Sequence, residues 1–182
     1  TFAFRWLSLS DFKNDHFDHV ARACQVLLGD WPVRDFVDPG LPLTYLISAA
    51  AIQAMDGRVF MAETLLFAGA FALAAALSWR SSMQASGSAA VAMLCVALQV
   101  AAMPRSYSYP KLIVYAVAIA VGWWVVGRGR GRAAAEGHDH GPGALRLVAL
   151  AAATALGYYF RHDHGVYVGI GPVGLLLLHL WR

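Results

Sequence analysis

The densest group of side chains able to do chemistry lies near the start of the chain: Asn14, Asp15, His16, Asp18 and His19. Asp15 and His19 are one helical turn apart on one face, a spacing that can hold a cation or position a base. On a solvated helix the same residues do less, with Asp18–Arg22 and Asp15–His19 as surface ion pairs worth tenths of a kcal/mol. A second group, Arg161, His162, Asp163 and His164 before Gly165, stands between two apolar blocks with almost no loop around it. Charged groups at such a boundary must pair, snorkel or line a wet cavity, and this run exceeds what anchoring needs. Asp163 then offers a carboxylate to a metal or phosphate site facing Asp15, while Arg161 or a histidine steadies an anion. The plainer alternative is an interfacial turn.

A third element, Pro104 to Lys111, holds Arg105, Tyr107, Tyr109 and Lys111 between rigid ends. It suits a lipid phosphate, and equally an aromatic belt with interfacial anchors. Between the prolines of residues 29–42, a stiff backbone can present Arg34, Asp35 and Asp38 to a ligand, or Arg34 and Asp35 simply solubilise the loop. His138, Asp139 and His140 invite a metal reading, but Gly and Pro surround them and adjacent residues rarely close a site, so a flexible cytoplasmic linker is preferred. Glu63, Gln99 and His179 lie in or near apolar blocks and are read as bonding to neighbouring helices. No phosphate-binding glycine loop, nucleophile elbow, zinc-protease helix or paired CxxC is present in the sequence.

These groups must be positioned by helices. Residues 14–28 read as an amphipathic helix with Asn14 as N-cap, Gly29 as the stop, and Phe17, Val20, Cys24 and Leu27 along one face. Residues 29–42 read as an ordered loop, and Leu43 to Met55 as a juxtamembrane helix too short to span. The chain has 182 residues, of which 59% are hydrophobic and 14% charged, whereas soluble domains are about half apolar and a quarter charged. The apolar residues fall in blocks long enough to approach the ~30 Å of a bilayer core: Val59 to Trp79, Gly87 to Met103, Leu112 to Val126, Ala144 to Phe160 and Val166 to Trp181. The expected fold is therefore an all-α membrane protein of about five transmembrane helices. Residues 1–58 form an extracytoplasmic segment carrying the amphipathic and juxtamembrane helices, and residues 59–182 the bundle.

The net charge of +3 does not argue for nucleic acid, because the arginines gather at block ends. With the first span starting outside, Arg80 and the Arg128, Arg130, Arg132 group fall in the cytoplasm, as the positive-inside rule asks. RSSMQAS, PRSYSYPK, GRGRGRAAAEGHDHGPG and RHDHG then serve as connections. The head segment, PRSYSYPK and RHDHG share the outer face, and a bacterial inner membrane is the expected location. Residues 1–41 carry acids, bases, histidines and prolines throughout, unlike a signal peptide. The opening at Thr1 and the apolar stub Phe2 to Leu9 lead us to expect sequence upstream. Cys24 and Cys95 suggest no disulfide framework.

Asp15, the helix Ala21 to Gly29, the step Trp31-Pro32 and the segment Pro42-Leu43-Thr44-Tyr45 occur in an order that resembles membrane glycosyltransferases of the GT-C class, the superfamily of protein mannosyltransferases and aminoarabinose lipid A transferases. The likeness covers mainly residues 12–80, with an echo in RHDHG. Where the family commonly has Asp-Glu, this chain reads Asp15-His16. The resemblance implies a multispanning transferase that takes sugar from a polyprenyl-phosphate donor at an outer-face site. It implies Asp15 as catalytic base or ligand of a divalent cation, Mg or Mn, and Asp163 as the second acid. Arg34, Arg105, Tyr107, Lys111 and Arg161 are the candidate phosphate contacts, and Asp15, His19 and Asp163 the candidate metal ligands. The competing reading is a non-catalytic membrane subunit packed among partner subunits. A small transporter ranks last, since acids inside the blocks are nearly absent.

Overall fold

A computed structural model of the chain describes residues 1–9, 14–102, 112–136 and 144–180, excepting the side chains at 14–15, 112, 126–136, 146, 164, 172, 175–176 and 178–180. Among these residues the chain is all-α, with an isolated bridge between Pro32 and Phe36 as its one β-type pairing. The helices are α1 (Phe2–Ser8), α2 (Asn14–Leu27), α3 (Pro42–Ala54), α4 (Val59–Ser86), α5 (Ala89–Ala102), α6 (Leu112–Glu136), α7 (Ala144–Phe160) and α8 (His162–Leu180).

Local chemistry sets several of these boundaries. Gly29, with φ of 103°, follows α2 as the expected stop. Pro42 opens α3, where its missing N–H costs nothing. Asp38 closes the turn before it, one carboxylate oxygen accepting the N–H groups of Gly40 at 2.7 Å and Leu41 at 2.8 Å. Gly87, at φ of 67°, ends α4 by donating to the Met83 carbonyl at 2.9 Å.

Three connections expected from sequence are corrected, and the apolar stub takes a definite shape. The stub before residue 10 is a short helix, α1. RSSMQAS continues α4 as far as Ser86, because polar residues do not break a helix and the first left-handed position is Gly87. The stretch GRGRGRAAAE belongs to α6, since isolated glycines cost only about 1 kcal/mol each; residues 137–143 lie outside the described residues. RHDHG is no loop either: Arg161 alone separates α7 from α8.

Of the five expected spans, one meets the measure of length and apolarity among the described residues. That helix is α4; α3, α5, Ile113–Val125 and Leu147–Phe160 are apolar but shorter. With 14 residues, α5 rises only about 21 Å. The packing centres on α4, which contacts α1, α3, α5 and α6, while α2 lies on α3, and α7 joins α3, α6 and α8.

The α7–α8 pair is antiparallel and very close. A Cβ at Gly165 would collide with the Tyr158 backbone, and one at Gly169 would stand 3.2 Å from the Thr154 methyl. Small residues that let backbones touch are the usual basis of helix association in an apolar medium. Gly165→Ala should therefore destabilise the fold by about 1–3 kcal/mol. Gly171→Ala, where the added carbon meets open space, should be neutral or slightly stabilising. Thermal midpoints in one detergent compare the two, and equal midpoints would refute the close-contact account.

Candidate functional site

The expected apolar face of α2 is not the one that packs. Phe17 and Leu27 are exposed, whereas His16, His19 and Ala23 are buried. The ladder turned inward is thus His16–His19–Ala23–Val26, the last two packing with Ala49, Ile52 and Ala62 of α3 and α4. His19 goes inside because polar partners wait there. His19 Nε2 lies 2.7 Å from Ser48 Oγ and 3.8 Å from a Glu63 carboxylate oxygen. The Tyr45 ring packs beside it, centroids 5.3 Å apart, and the His16 ring follows at 6.4 Å. The reading of His19 as a surface partner of Asp15 is accordingly corrected. Glu63, expected to bond to a neighbouring helix, faces α2, a carboxylate oxygen 3.8 Å from His19 Nε2. Ser48 went unrecognised, and Tyr45 was noted only within the Pro42–Tyr45 segment; the further signal is helical spacing, which sets Thr44, Tyr45 and Ser48 within one turn of α3.

Histidine, serine and an acid in contact suggest a nucleophile triad, and the geometry excludes one. A triad sets the hydroxyl on one ring nitrogen and the acid on the other. Here Ser48 and Glu63 approach the same nitrogen, Nε2. His19, Ser48 and Glu63 are also buried, which denies a substrate any approach. The cluster instead fastens α2 to α3 and α4.

The second expected group stands at the α7–α8 junction, tied to the α3 entry by two bonds. The His162 N–H donates to the Gly40 carbonyl at 3.2 Å, and the Thr44 hydroxyl donates to the Phe160 carbonyl at 3.1 Å. Gly40, at φ of 100°, lies under the His162 ring, where a Cβ would stand 2.7 Å from Nδ1. His162 also stacks on Tyr158 at 4.4 Å. Arg161 pairs with Asp163 at 2.8 Å, both partly exposed. Nearby runs an apolar cleft of about 450 Å³, walled by Ile47 and Met55 of α3, Leu66 and Leu73 of α4, Ile113 of α6 and Phe160 of α7.

The remaining candidates separate. Arg34 is bound to Asp35 by hydrogen bonds of 2.6–3.0 Å on the surface. That bond holds the Asp35 carboxyl below its ordinary range and raises the Arg34 guanidinium. Asp18 and Arg22 form the expected exposed pair at 3.9 Å. Asp15 lies in the first turn of α2, its side chain outside the described residues, as are Arg105, Tyr107 and Lys111 and the run His138–His140. Of the three candidate metal ligands, His19 faces Ser48 and Glu63 in the seam and Asp163 faces Arg161 at the rim. Among the described residues no group of three His, Cys, Asp or Glu residues is arranged to hold a metal ion. Cys24 and Cys95 are free thiols. Compared with known protein families, characterised proteins and solved structures, the chain matches none.

Burial lowers the pKa of His16 from 6.5 to about 4 and, with help from His16, that of His19 to about 3. Both rings are neutral in the fold, while the unfolded chain takes up protons below pH 6.5. Stability is thus complete above that value and declines as pH falls toward about 4 and about 3. The loss is on the order of 1–2 kcal/mol per histidine by pH 5. The thermal midpoint should drop between pH 7.5 and pH 5, and the imidazole NMR shifts of both residues should stay at their neutral values. A flat midpoint, or a ring titrating near pH 6.5, contradicts the burial of neutral imidazoles.

Proposed function

We propose that this chain acts as a membrane glycosyltransferase unit that takes sugar from a polyprenyl-phosphate donor, at the end of the bundle where the α3 entry meets the α7–α8 junction. The observation that carries the reading is the pair of bonds between Gly40 and His162 and between Thr44 and Phe160. They bring a charged rim, Arg161 to Asp163, beside an apolar cleft that begins at Phe160. A lipid phosphate needs this combination: a greasy trough for its chain and a cation at its head.

In this reading α4 spans the bilayer and the shorter apolar helices around it complete a bundle of about five. Arg80 and the α6 arginines lie in the cytoplasm and α2 on the outer face, in a bacterial inner membrane. The isoprenoid chain occupies the cleft and its phosphate meets Arg161, with Arg105, Tyr107 and Lys111 as further contacts. The acceptor hydroxyl attacks the anomeric carbon, the bond from that carbon to the phosphate oxygen breaks, and the hydroxyl proton passes to Asp15. A divalent cation, Mg or Mn, held by Asp15 with Asp163 as second acid, would offset the charge growing on the leaving phosphate.

The reading is tested with the chain in proteoliposomes and a radiolabelled polyprenyl-phosphate sugar. Asp15→Asn should lower transfer about 10²-fold or more while the thermal midpoint stays unchanged. Equal turnover by Asp15→Asn and the unaltered chain removes Asp15 as base. No transfer by the unaltered chain, together with stable co-purification of other membrane subunits, favours a non-catalytic role.

A further inference from the structure

From Leu27 to Val37 the chain does something unusual for a segment bearing Asp30, Arg34 and Asp35. It turns its aliphatic side chains outward: Leu28 is 85% exposed, Val33 76% and Val37 85%, with Trp31 more than half exposed. The display is held in place. The Trp31 N–H donates to Asp35 Oδ2 at 2.7 Å, and the Asp35 N–H returns to the Trp31 carbonyl at 2.9 Å. The Val33 N–H donates to the Phe36 carbonyl at 3.1 Å. Val33 sits at φ of 72°, a left-handed conformation that a β-branched residue rarely adopts. Glycine would hold this turn without strain, so valine supplies an outward apolar tip that glycine lacks. Behind the tips, Phe36 is buried against Tyr45 at 6.0 Å and under the Arg22 guanidinium at 5.2 Å.

We infer that the Leu27–Val37 loop is a lipid-facing wedge that seats in the interfacial layer of the bilayer beside the bundle. Two observations favour lipid over a protein partner. First, the tip of the loop is bonded internally: the Trp31, Val33 and Asp35 N–H groups have acceptors inside the loop, and Arg34 pairs with Asp35, which leaves Asp30 at the base of the loop. Lipid supplies no partner for a bare N–H or a lone charge, whereas a protein interface does. Second, the loop's depth is fixed by its neighbour. Gly40, just beyond it, bonds to His162 where the apolar run of α7 ends, the level at which headgroups meet acyl chains if α7 is embedded. Tryptophan prefers that level.

The inference rests on the membrane placement of the bundle proposed above and not on the transfer chemistry. The test uses the full chain in phosphatidylcholine vesicles on a Cys24→Ser, Cys95→Ala background. Val37→Cys and Leu73→Cys, the latter midway along α4 and half-exposed on the wall of the apolar cleft, each carry a small environment-sensitive fluorophore. The label at Leu73 should be quenched by nitroxides at mid-acyl depth. The label at Val37 should be quenched best by nitroxides near the headgroup, with iodide severalfold less effective than on free dye. If Leu73 responds to mid-depth nitroxides while Val37 is quenched by iodide like free dye, the loop faces water and the wedge is refuted. If Val37 is shielded from iodide yet blind to every nitroxide lipid, a protein surface covers it and the wedge is refuted as well. If Leu73 itself reports water, the membrane placement fails, and the wedge with it.

Discussion

A neutral imidazole shut away from water must find its hydrogen bonds within the protein, because an unmet polar group in an apolar setting costs several kcal/mol. His19 Nε2 meets that demand with the Ser48 hydroxyl, while a Glu63 carboxylate oxygen stands 3.8 Å from the same nitrogen, and this contact fixes α2. Rotating α2 by one residue would carry the ring out of the seam and leave Glu63 facing Val20 or Asp18. Contact with apolar neighbours alone would tolerate such a slip far better. The Ala23, Ala49, Ile52 and Ala62 cluster supplies non-directional attraction, and the His19 network selects one rotation from those the apolar surfaces permit.

Arg5 poses the same problem with a full charge. It is buried on α1, and its guanidinium donates to the Val100 carbonyl at 2.6 Å while lying 4.7 Å from the Phe71 ring centroid. Val100 is in the last turn of α5 as far as that helix is described. Pro104, four residues on, has no N–H, so the Val100 carbonyl lacks its usual intrahelical donor. A cation over an aromatic face adds to this. Arg5 thus ties α1 to both α4 and α5 through groups that apolar helices still possess, a backbone carbonyl and a phenyl ring.

Much of the helix order was legible because punctuation is local. Gly29 and Pro42 act on their own turns, and α3 came within a residue of the expected span at either end. The inward face of α2 was not legible. By hydrophobicity Phe17, Val20, Cys24 and Leu27 form the better stripe, and the choice of His16 and His19 depends on Ser48 and Glu63, which belong to other helices. The α7–α8 junction was legible in composition but not in shape. Charge clusters suggest loops, yet Asp163 sits well in the first turn of a helix, where a carboxylate meets unpaired N–H groups. Of the candidate site, Arg161 and Asp163 were identified as chemically capable. Their pairing with each other is local, set by the turn between α7 and α8, whereas the bond from His162 to Gly40 follows from tertiary contact alone.

All three parts of the head region converge on a single turn of α3. Ser48 holds α2 through His19, Thr44 holds α7 through the Phe160 carbonyl, and Tyr45 packs against both His19 and Phe36 of the loop. These side chains share one rigid turn, so α3 cannot move relative to one partner without disturbing the others. A helix of 13 residues is marginal by itself, and here each exposed end is closed by a fixed turn, Asp38 before it and Gly57 after it. Whatever the rim at Arg161–Asp163 binds is therefore coupled to the orientation of α2 through rigid packing. A displacement of His162 would press on Gly40, shift the start of α3, and reach His19 within a single helical turn.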